Sequence, residues 1–336
     1  VAVGAIFLVF AARRKPLKNI LLALVAIHII GNLLTSIAPN YYAMLITRFI
    51  SGLPHGGFFG IGSIVAGKLA KEGKGSQAVA TMVAGMTIAN LLGVPFGTYV
   101  SHNISWRVLF LLIGIFGVFV YMFICKWIPR FDPMPDNGLR KQFHFLKYKA
   151  PWLIILAIML GNGGVFCWFS YINPVLVNVS GFNPKIISLI MILSGAGMCF
   201  GNILGGKLSD KYTPAKIACY TQLTICLALF LTFFFASNPI LAIILMFTCT
   251  SCLFALSAPQ QVLIIQYSPG GEILGAASAQ VAFNLGNALG AFMGGLPVTY
   301  GLGYQFTTIP GIVLAFGGFL LLLHFTKLYD NRKFVC

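Results

Sequence analysis

Gly206-Lys-Leu-Ser-Asp210-Lys211-Tyr-Thr-Pro-Ala-Lys216 is a charged turn between two long apolar runs, and the chain carries an earlier copy of it. Set back by 198 positions it falls on Leu8 to Lys18, so that Arg13, Pro16 and Lys18 meet Lys211, Pro214 and Lys216. A second alignment has nearly the same offset. Asn90-Leu-Leu-Gly93-Val-Pro95-Phe-Gly97 lies 197 positions before Asn287-Ala-Leu-Gly290-Ala-Phe-Met-Gly294. Two separate matches at one spacing indicate a duplicated half of the chain, not a solenoid of short repeats.

The duplicated halves are strongly apolar. Hydrophobic residues make up 58% of the sequence, charged residues 8%, and the mean hydropathy is +0.91, outside the range of soluble globular domains. Apolar runs near or above twenty residues recur at about 19–37, 42–69, 78–100, 107–128, 151–176, 184–207, 217–236, 240–267, 273–299 and 306–327. Each is long enough to cross a hydrocarbon core of about 30 Å as a helix. A transmembrane barrel would instead show strands of about ten residues with alternating polarity. The expected fold is all-α and embedded in the lipid bilayer.

The net charge of +16 does not imply nucleic acid. All but three of the 22 Lys and Arg (Arg48, Arg107 and Lys185) fall in alternate connections and the C-terminal tail. That asymmetry orients a membrane protein, with the basic connections in the cytoplasm. It assigns the central linker and the C-terminus to the cytoplasm. The opposite connections are short and nearly uncharged. Eight cysteines are scattered through the runs, and Cys249-Thr-Ser-Cys252 inside one of them reads as packing thiols. No cofactor or metal constellation, and no set of residues for enzymatic chemistry, occurs in the sequence.

The repeat also acts as a ruler. Subtracting 198 from the runs at 151–176 and 184–207 puts the counterpart of the first wholly before Val1, and that of the second partly so. The expectation is twelve helices in two six-helix bundles: an N-terminal bundle at 1–128 lacking its first helix and part of its second, a cytoplasmic linker at 129–150, a C-terminal bundle at 151–327 and a tail at 328–336. Paired halves of this kind hold a small-molecule substrate between them near the bilayer midplane. The assembly is expected to be monomeric.

Every carboxylate falls in a basic connection or the tail, so the ionisable residues inside spans reduce to Arg48, His55 and His28. Such residues are costly in hydrocarbon and are functional candidates for that reason. Arg48 and His55 are seven residues apart, on one helical face and about 10 Å along the axis. His55 lies near midspan beside Pro54 and Gly56-Gly57, where an imidazole facing water can relay protons; the alternative is a neutral ring bonded to a backbone carbonyl. Arg48 is its partner or a side chain snorkelling to the interface. His28 reads as structural.

Amides and aromatics cluster near the expected midplane: Asn90, Asn162, Gln260, Gln280, Asn284 and Asn287, with Trp168 and Tyr171. Amides both donate and accept hydrogen bonds, and aromatic faces suit the apolar side of a sugar ring. This lining suits a neutral hydroxylated solute better than a cation. Arg13 in the first turn, and Asp210 and Lys211 in the second, are candidates for a cytoplasmic gate, with Ala12 standing where Asp210 has its copy. Gly93-x-x-x-Gly97 and Gly286-x-x-x-Gly290-x-x-x-Gly294 read as close helix packing.

The turn Gly206–Lys211, the run Arg48-Phe-Ile-Ser-Gly52-Leu-Pro-His-Gly-Gly and the run Gly93-Val-Pro95-Phe-Gly97-Thr with Ser105-Trp106-Arg107 together resemble the major facilitator superfamily, and within it the sugar-efflux branch of the drug:proton antiporters. The resemblance implies alternating access, with proton entry driving export of a solute. It carries loop gating onto Asp210 and Lys211, the arginine motif onto Arg48 and Gly52, and the antiporter glycine motif onto Gly85, Gly93, Pro95 and Gly97. This chain departs from the pattern in reading Gly-Val-Pro for the usual Gly-Pro. The first helix, where proteins of this branch usually place an acidic residue, is expected to lie before Val1. A sugar such as arabinose or a derivative is the implied cargo. A hydrophobic drug, an uncoupled sugar facilitator and a solute sensor remain the alternatives.

Overall fold

The computed structural model describes residues 15–131 and 143–330, so Arg13 and Ala12 lie outside the described residues. Helices form at each of the ten apolar runs. They are α1 (Leu17–Ser36), α2 (Tyr41–Leu69), α3 (Gly75–Ile88), α4 (Val94–Asn103) and α5 (Trp106–Trp127), then α6 (Lys149–Phe169), α7 (Ile172–Asn178), α8 (Ile187–Lys211), α9 (Pro214–Phe235), α10 (Pro239–Ala255), α11 (Ser257–Gln266), α12 (Glu272–Thr299) and α13 (Thr308–Phe325). Among the described residues nine helices are long and apolar enough to span a membrane, or ten if the bent α3–α4 pair is one span.

The ends follow local chemistry. Asn40 Oδ1 accepts from Ala43 N at 2.9 Å to start α2, and Asn238 Oδ1 accepts from Ile240 and Leu241 N to start α10. Pro214 and Pro239 sit in the first turns of α9 and α10, where a missing N–H costs nothing. Gly73 and Gly270 turn the chain with φ of 72° and 73°, backbone that side chains with a Cβ rarely adopt.

Three runs that the sequence presents as continuous are interrupted. A π-helical turn at Ala89–Gly93 separates α3 from α4, and that span bends by 41°. Ser170-Tyr171 breaks the run at 149–178, and Leu256 breaks that at 239–266. The cysteines of α10 form no disulfide, and Cys249 is buried.

Packing follows two sets. α1 lies against α2 and α5 before the segment 132–142; α6 against α12 and α13, and α8 against α10, after it. The sets meet where α3 touches α8 and α11, and where α2 touches α12. Large apolar side chains such as Phe116 (68% exposed), Phe123, Phe230 and Ile240 face outward, as lipid-facing positions require. One end of the molecule, which carries Lys68, Lys71, Lys74, Lys207, Lys211 and Lys216, is here termed the basic end.

Candidate functional site

Between the two sets lies a cavity of about 910 Å³, within the span of about 300–1,000 Å³ over which ligand pockets range. His55 and Phe59 of α2, Met86 of α3, Asn90 of the π-helical turn and Pro95, Tyr99 and Asn103 of α4 form one wall. Asn162 of α6, Ser194 and Met198 of α8, and Gln280, Phe283, Asn284 and Asn287 of α12 form the other. The lining runs to Asn103 and Ser188 at the uncharged end and stops short of the basic end.

The interruptions supply much of this wall. A π-turn leaves carbonyls out of the regular ladder and often marks a working site. It sets Asn90 at the cavity. Phe169, Ser170 and Asn173 flank the break between α6 and α7, and Phe254 and Ser257 flank Leu256; all five line the cavity.

Gln280, Asn284 and Asn287 recur at a helical spacing of four and three, so α12 presents them as one stripe. Asn162 Nδ2 donates to Asn287 Oδ1 and, at 3.2 Å, to the Phe283 carbonyl. Asn284 Nδ2 donates to the Gln280 carbonyl at 2.7 Å, and Gln280 Nε2 to Gln261 Oε1 at 3.2 Å. These bonds hold the amides in place. Among the described residues they leave the Asn287 amide N–H groups, the Asn284 amide oxygen and the whole Asn90 side chain unpaired at the cavity. The set can give and accept hydrogen bonds and carries no fixed charge.

The His55 ring faces the cavity 5.0 Å from the ring of Phe59, and makes no hydrogen bond among the described residues. His28 takes the structural role instead, its Nδ1 lying 3.1 Å from the Ser51 carbonyl oxygen. Arg48 does not reach the cavity. Its guanidinium donates to Asn32 Oδ1 at 3.3 Å and sits 4.8 Å from the ring centre of Phe110.

Three further candidates lie behind the wall. Trp168 is 2% exposed and packs in the core of α6, α12 and α13. The Tyr171 hydroxyl donates to the Ala291 carbonyl at 3.0 Å, and Gln260 is a buried residue of α11. Residues that sequence reasoning missed are Tyr99, Asn103 and Asn173, all polar and all near run ends, where amides ordinarily read as caps.

The basic end is closed by a carboxylate. Asp210, in the last turn of α8, accepts from the backbone N–H groups of Ser76 and Gln77 at 2.8 Å each. These are the first donors of α3, which otherwise has no side-chain cap, and they concentrate the positive end of its dipole. Ser76 Oγ and Ser209 Oγ lie 2.8 Å apart, and Asn202 Nδ2 donates to the Ala80 carbonyl at 2.7 Å. Gly206 abuts Ala80 so closely that a Cβ there would come within 2.6 Å of the alanine Cβ. Lys211 turns away, its ammonium 5.3 Å from the Tyr212 ring centre. A second cavity of about 340 Å³, lined by Lys68 and Glu272 among others, lies on the basic side of this seal.

The glycines divide into two groups. A Cβ on Gly286 would come within 2.5 Å of the Met159 carbonyl oxygen, and on Gly290 or Gly294 it would run into the carbonyls of Gly163 and Cys167. On Gly97 it would touch only Leu109 at 3.4 Å and on Gly93 only Ala89 at 3.8 Å. At Gly52 and Gly85 it would meet nothing within 4 Å. No group of three or more His, Cys, Asp or Glu among the described residues is placed to hold a metal ion.

The family profile described as Major Facilitator Superfamily matches residues 1–295. AraJ of Escherichia coli (strain K12), named as a transporter, is 47% identical over 333 residues, which cover 99% of this chain and 84% of that protein. A protein of Helicobacter acinonychis (strain Sheeba) named "probable sugar efflux transporter" is 27% identical over 307 residues, covering 90% and 78%. In fold, the chain is similar to the transporter FucP in the outward conformation, with a TM-score of 0.79 at 14% identity, over 96% of this chain and 86% of that one. The chain belongs to the major facilitator superfamily: it is a multi-pass membrane transporter for small molecules, and not an enzyme.

Proposed function

We propose that this transporter exports a small neutral hydroxylated solute, a sugar such as arabinose or a derivative of one, from the cytoplasm in exchange for protons. The observation that carries this reading is the cavity itself. It is lined from both helical sets, holds free amide donors and acceptors, and has no carboxylate among the described residues of its lining. A cation would find no counter-charge there, whereas hydroxyl groups would find partners for both their donor and acceptor sites. The Helicobacter relative named for sugar efflux supports the same cargo and direction.

The helices belong to the bacterial inner membrane, in a fold of twelve helices in two bundles of six. The bundles divide at 129–150, with the basic end, the linker and the tail at 328–336 in the cytoplasm. The cavity then faces outward, and the Asp210 seal is the closed cytoplasmic gate, to which Lys211 and Arg13, the latter outside the described residues, also belong. Rocking the two sets about the site would break that seal and open the other side. His55 is the proton carrier within the cavity, with Arg48 seven residues away on the same helix as its partner in coupling. Each protein acts as a monomer.

A second reading rests on the apolar part of the wall. Phe59, Met86, Phe166, Phe169, Met191 and Phe254 line the cavity, and adaptable Met and aromatic surfaces suit hydrophobic drugs. Equilibrium binding to the purified protein separates the two. Neutral pentoses and polyols are expected to bind, lipophilic cations not. Asn287→Ala is expected to weaken pentose binding about tenfold to a hundredfold, since a lost hydrogen bond leaving a buried partner unsatisfied costs about 1–3 kcal/mol. Cation binding that is indifferent to Asn287→Ala favours the drug reading.

A further inference from the structure

We propose that Asp330 is a positioning residue for the gate: it straps the turn between α8 and α9 so that Asp210 stays aimed at the N-terminus of α3. This rests on the reading of Asp210 as the cytoplasmic latch.

Asp210 occupies the last turn of α8, and the last turn is where helices fray. To accept two backbone N–H groups at 2.8 Å it must be held there by something beyond its own helix. Only Tyr212 and Thr213 separate α8 from α9. Thr213 caps α9, its hydroxyl oxygen accepting from Lys216 N at 3.2 Å. The same hydroxyl donates to Asp330 Oδ2 at 3.0 Å, and the Lys216 ammonium stands 3.7 Å from that oxygen. Asp330 is well enclosed, its side chain 11% exposed. It also faces the positive end of α9, which adds to the attraction.

The segment carrying Asp330 is itself fixed. It leaves α13 as a π-helical turn, Thr326–Asp330. Phe325, Tyr329 and Tyr267 form a triangle of rings with centres 5.0, 5.2 and 5.8 Å apart. Tyr267 follows the last residue of α11. α8 and α11 are the two elements of the second helical set that touch α3. The 326–330 segment therefore ties together both supports of the gate helix. Burial first, and then the neighbouring Asp330 and Tyr329, push the Tyr267 phenol up to about 12. It stays neutral at any physiological pH and adds no repulsion to the Asp330 carboxylate.

Backbone hydrogen–deuterium exchange at Ser76 and Gln77 in the intact protein in lipid nanodiscs reads the latch directly. Asp210→Ala is expected to speed exchange there about a hundredfold and Asp330→Ala about tenfold, with the double variant no faster than Asp210→Ala alone. Thr213→Val, which removes the bridging hydroxyl without touching either carboxylate, is expected to match Asp330→Ala. Exchange within α1 should stay at the wild-type rate in every variant, which separates a loosened gate from a failing fold. Wild-type exchange at Ser76 and Gln77 in both Asp330→Ala and Thr213→Val, with Asp210→Ala fast, overturns the strap and leaves the latch standing. Multiplying effects in the double variant also overturn it. Unchanged exchange in Asp210→Ala overturns latch and strap together.

Discussion

Asp210→Ala is expected to abolish most transport while leaving solute binding nearly intact. The carboxylate supplies both acceptors for the first-turn N–H groups of Ser76 and Gln77, across the boundary between the helical sets. Hydrogen bonds to a charged group contribute about 1.5–3 kcal/mol each, and some of that is recovered when water takes the place of the lost acceptor. A net loss of about 3 kcal/mol for the pair shifts a two-state equilibrium by about a hundredfold, since about 1.4 kcal/mol is a factor of ten. A carrier whose gate no longer closes cannot return to its outward-facing state at the usual rate. Flux should fall at least tenfold, with the apparent solute affinity changed by less. Asp210→Asn, which keeps one acceptor oxygen, should fall between the two. Solute uptake into proteoliposomes, with affinity measured separately, checks both numbers.

Gly290→Val should damage the fold itself. α6 and α12 approach so closely that a Cβ on Gly290 would run into the Gly163 carbonyl, and valine adds two methyl groups beyond it. Its neighbours are the Gly163 carbonyl oxygen, the Cys167 backbone nitrogen and the Phe166 Cβ, none of which can rotate away. Separating the helices would strip Trp168 and the Asn162–Asn287 pair of their packing. Overpacking a well-packed site costs about 1–3 kcal/mol, and collision with backbone lies at the upper end or beyond. A fall of several degrees in the unfolding midpoint in detergent, with poor yield, is the expected result. Gly85→Ala provides the contrast. No atom lies within 4 Å of a Cβ there, and alanine in a helix gains about 0.5–1 kcal/mol over glycine. An unchanged midpoint in Gly290→Val would mean that α6 and α12 are not packed through these glycines.

Much of the architecture was legible because lipid leaves few choices. Each of the ten apolar runs holds a helix, and the charge asymmetry marked which connections lie together, since length and charge are one-dimensional properties. The interruptions at Ala89–Gly93, Ser170-Tyr171 and Leu256 were not legible. None of them carries a signal that distinguishes it from the flexible residues common in such runs. Helical phase was also hidden. Asn162 and Trp168 lie in one helix, yet one faces the cavity and the other the core. In spans that are apolar all round, no stripe of polarity says which side is which.

The latch divides in the same way. Asp210 stood out in the sequence as a carboxylate in a duplicated turn. Its partners are backbone N–H groups, which every helix possesses, and no side-chain pattern pointed to Ser76 and Gln77. His55 and Arg48 share a predicted face, and the structure sets one at the cavity and the other against Asn32 and Phe110. Gly52 of the arginine motif and Gly85 of the antiporter glycine motif meet nothing within 4 Å on their open side.

The most direct test of the central claim is flux of a labelled pentose across proteoliposomes under an imposed pH gradient. Solute should move against its own gradient, and that movement should collapse when the pH difference is abolished. In His55→Ala, that gradient-driven accumulation should disappear while solute binding persists. Equilibration indifferent to pH would reveal an uncoupled facilitator, and binding without flux a sensor. Either result would contradict proton-driven export, and full accumulation by His55→Ala would remove that histidine from the coupling step.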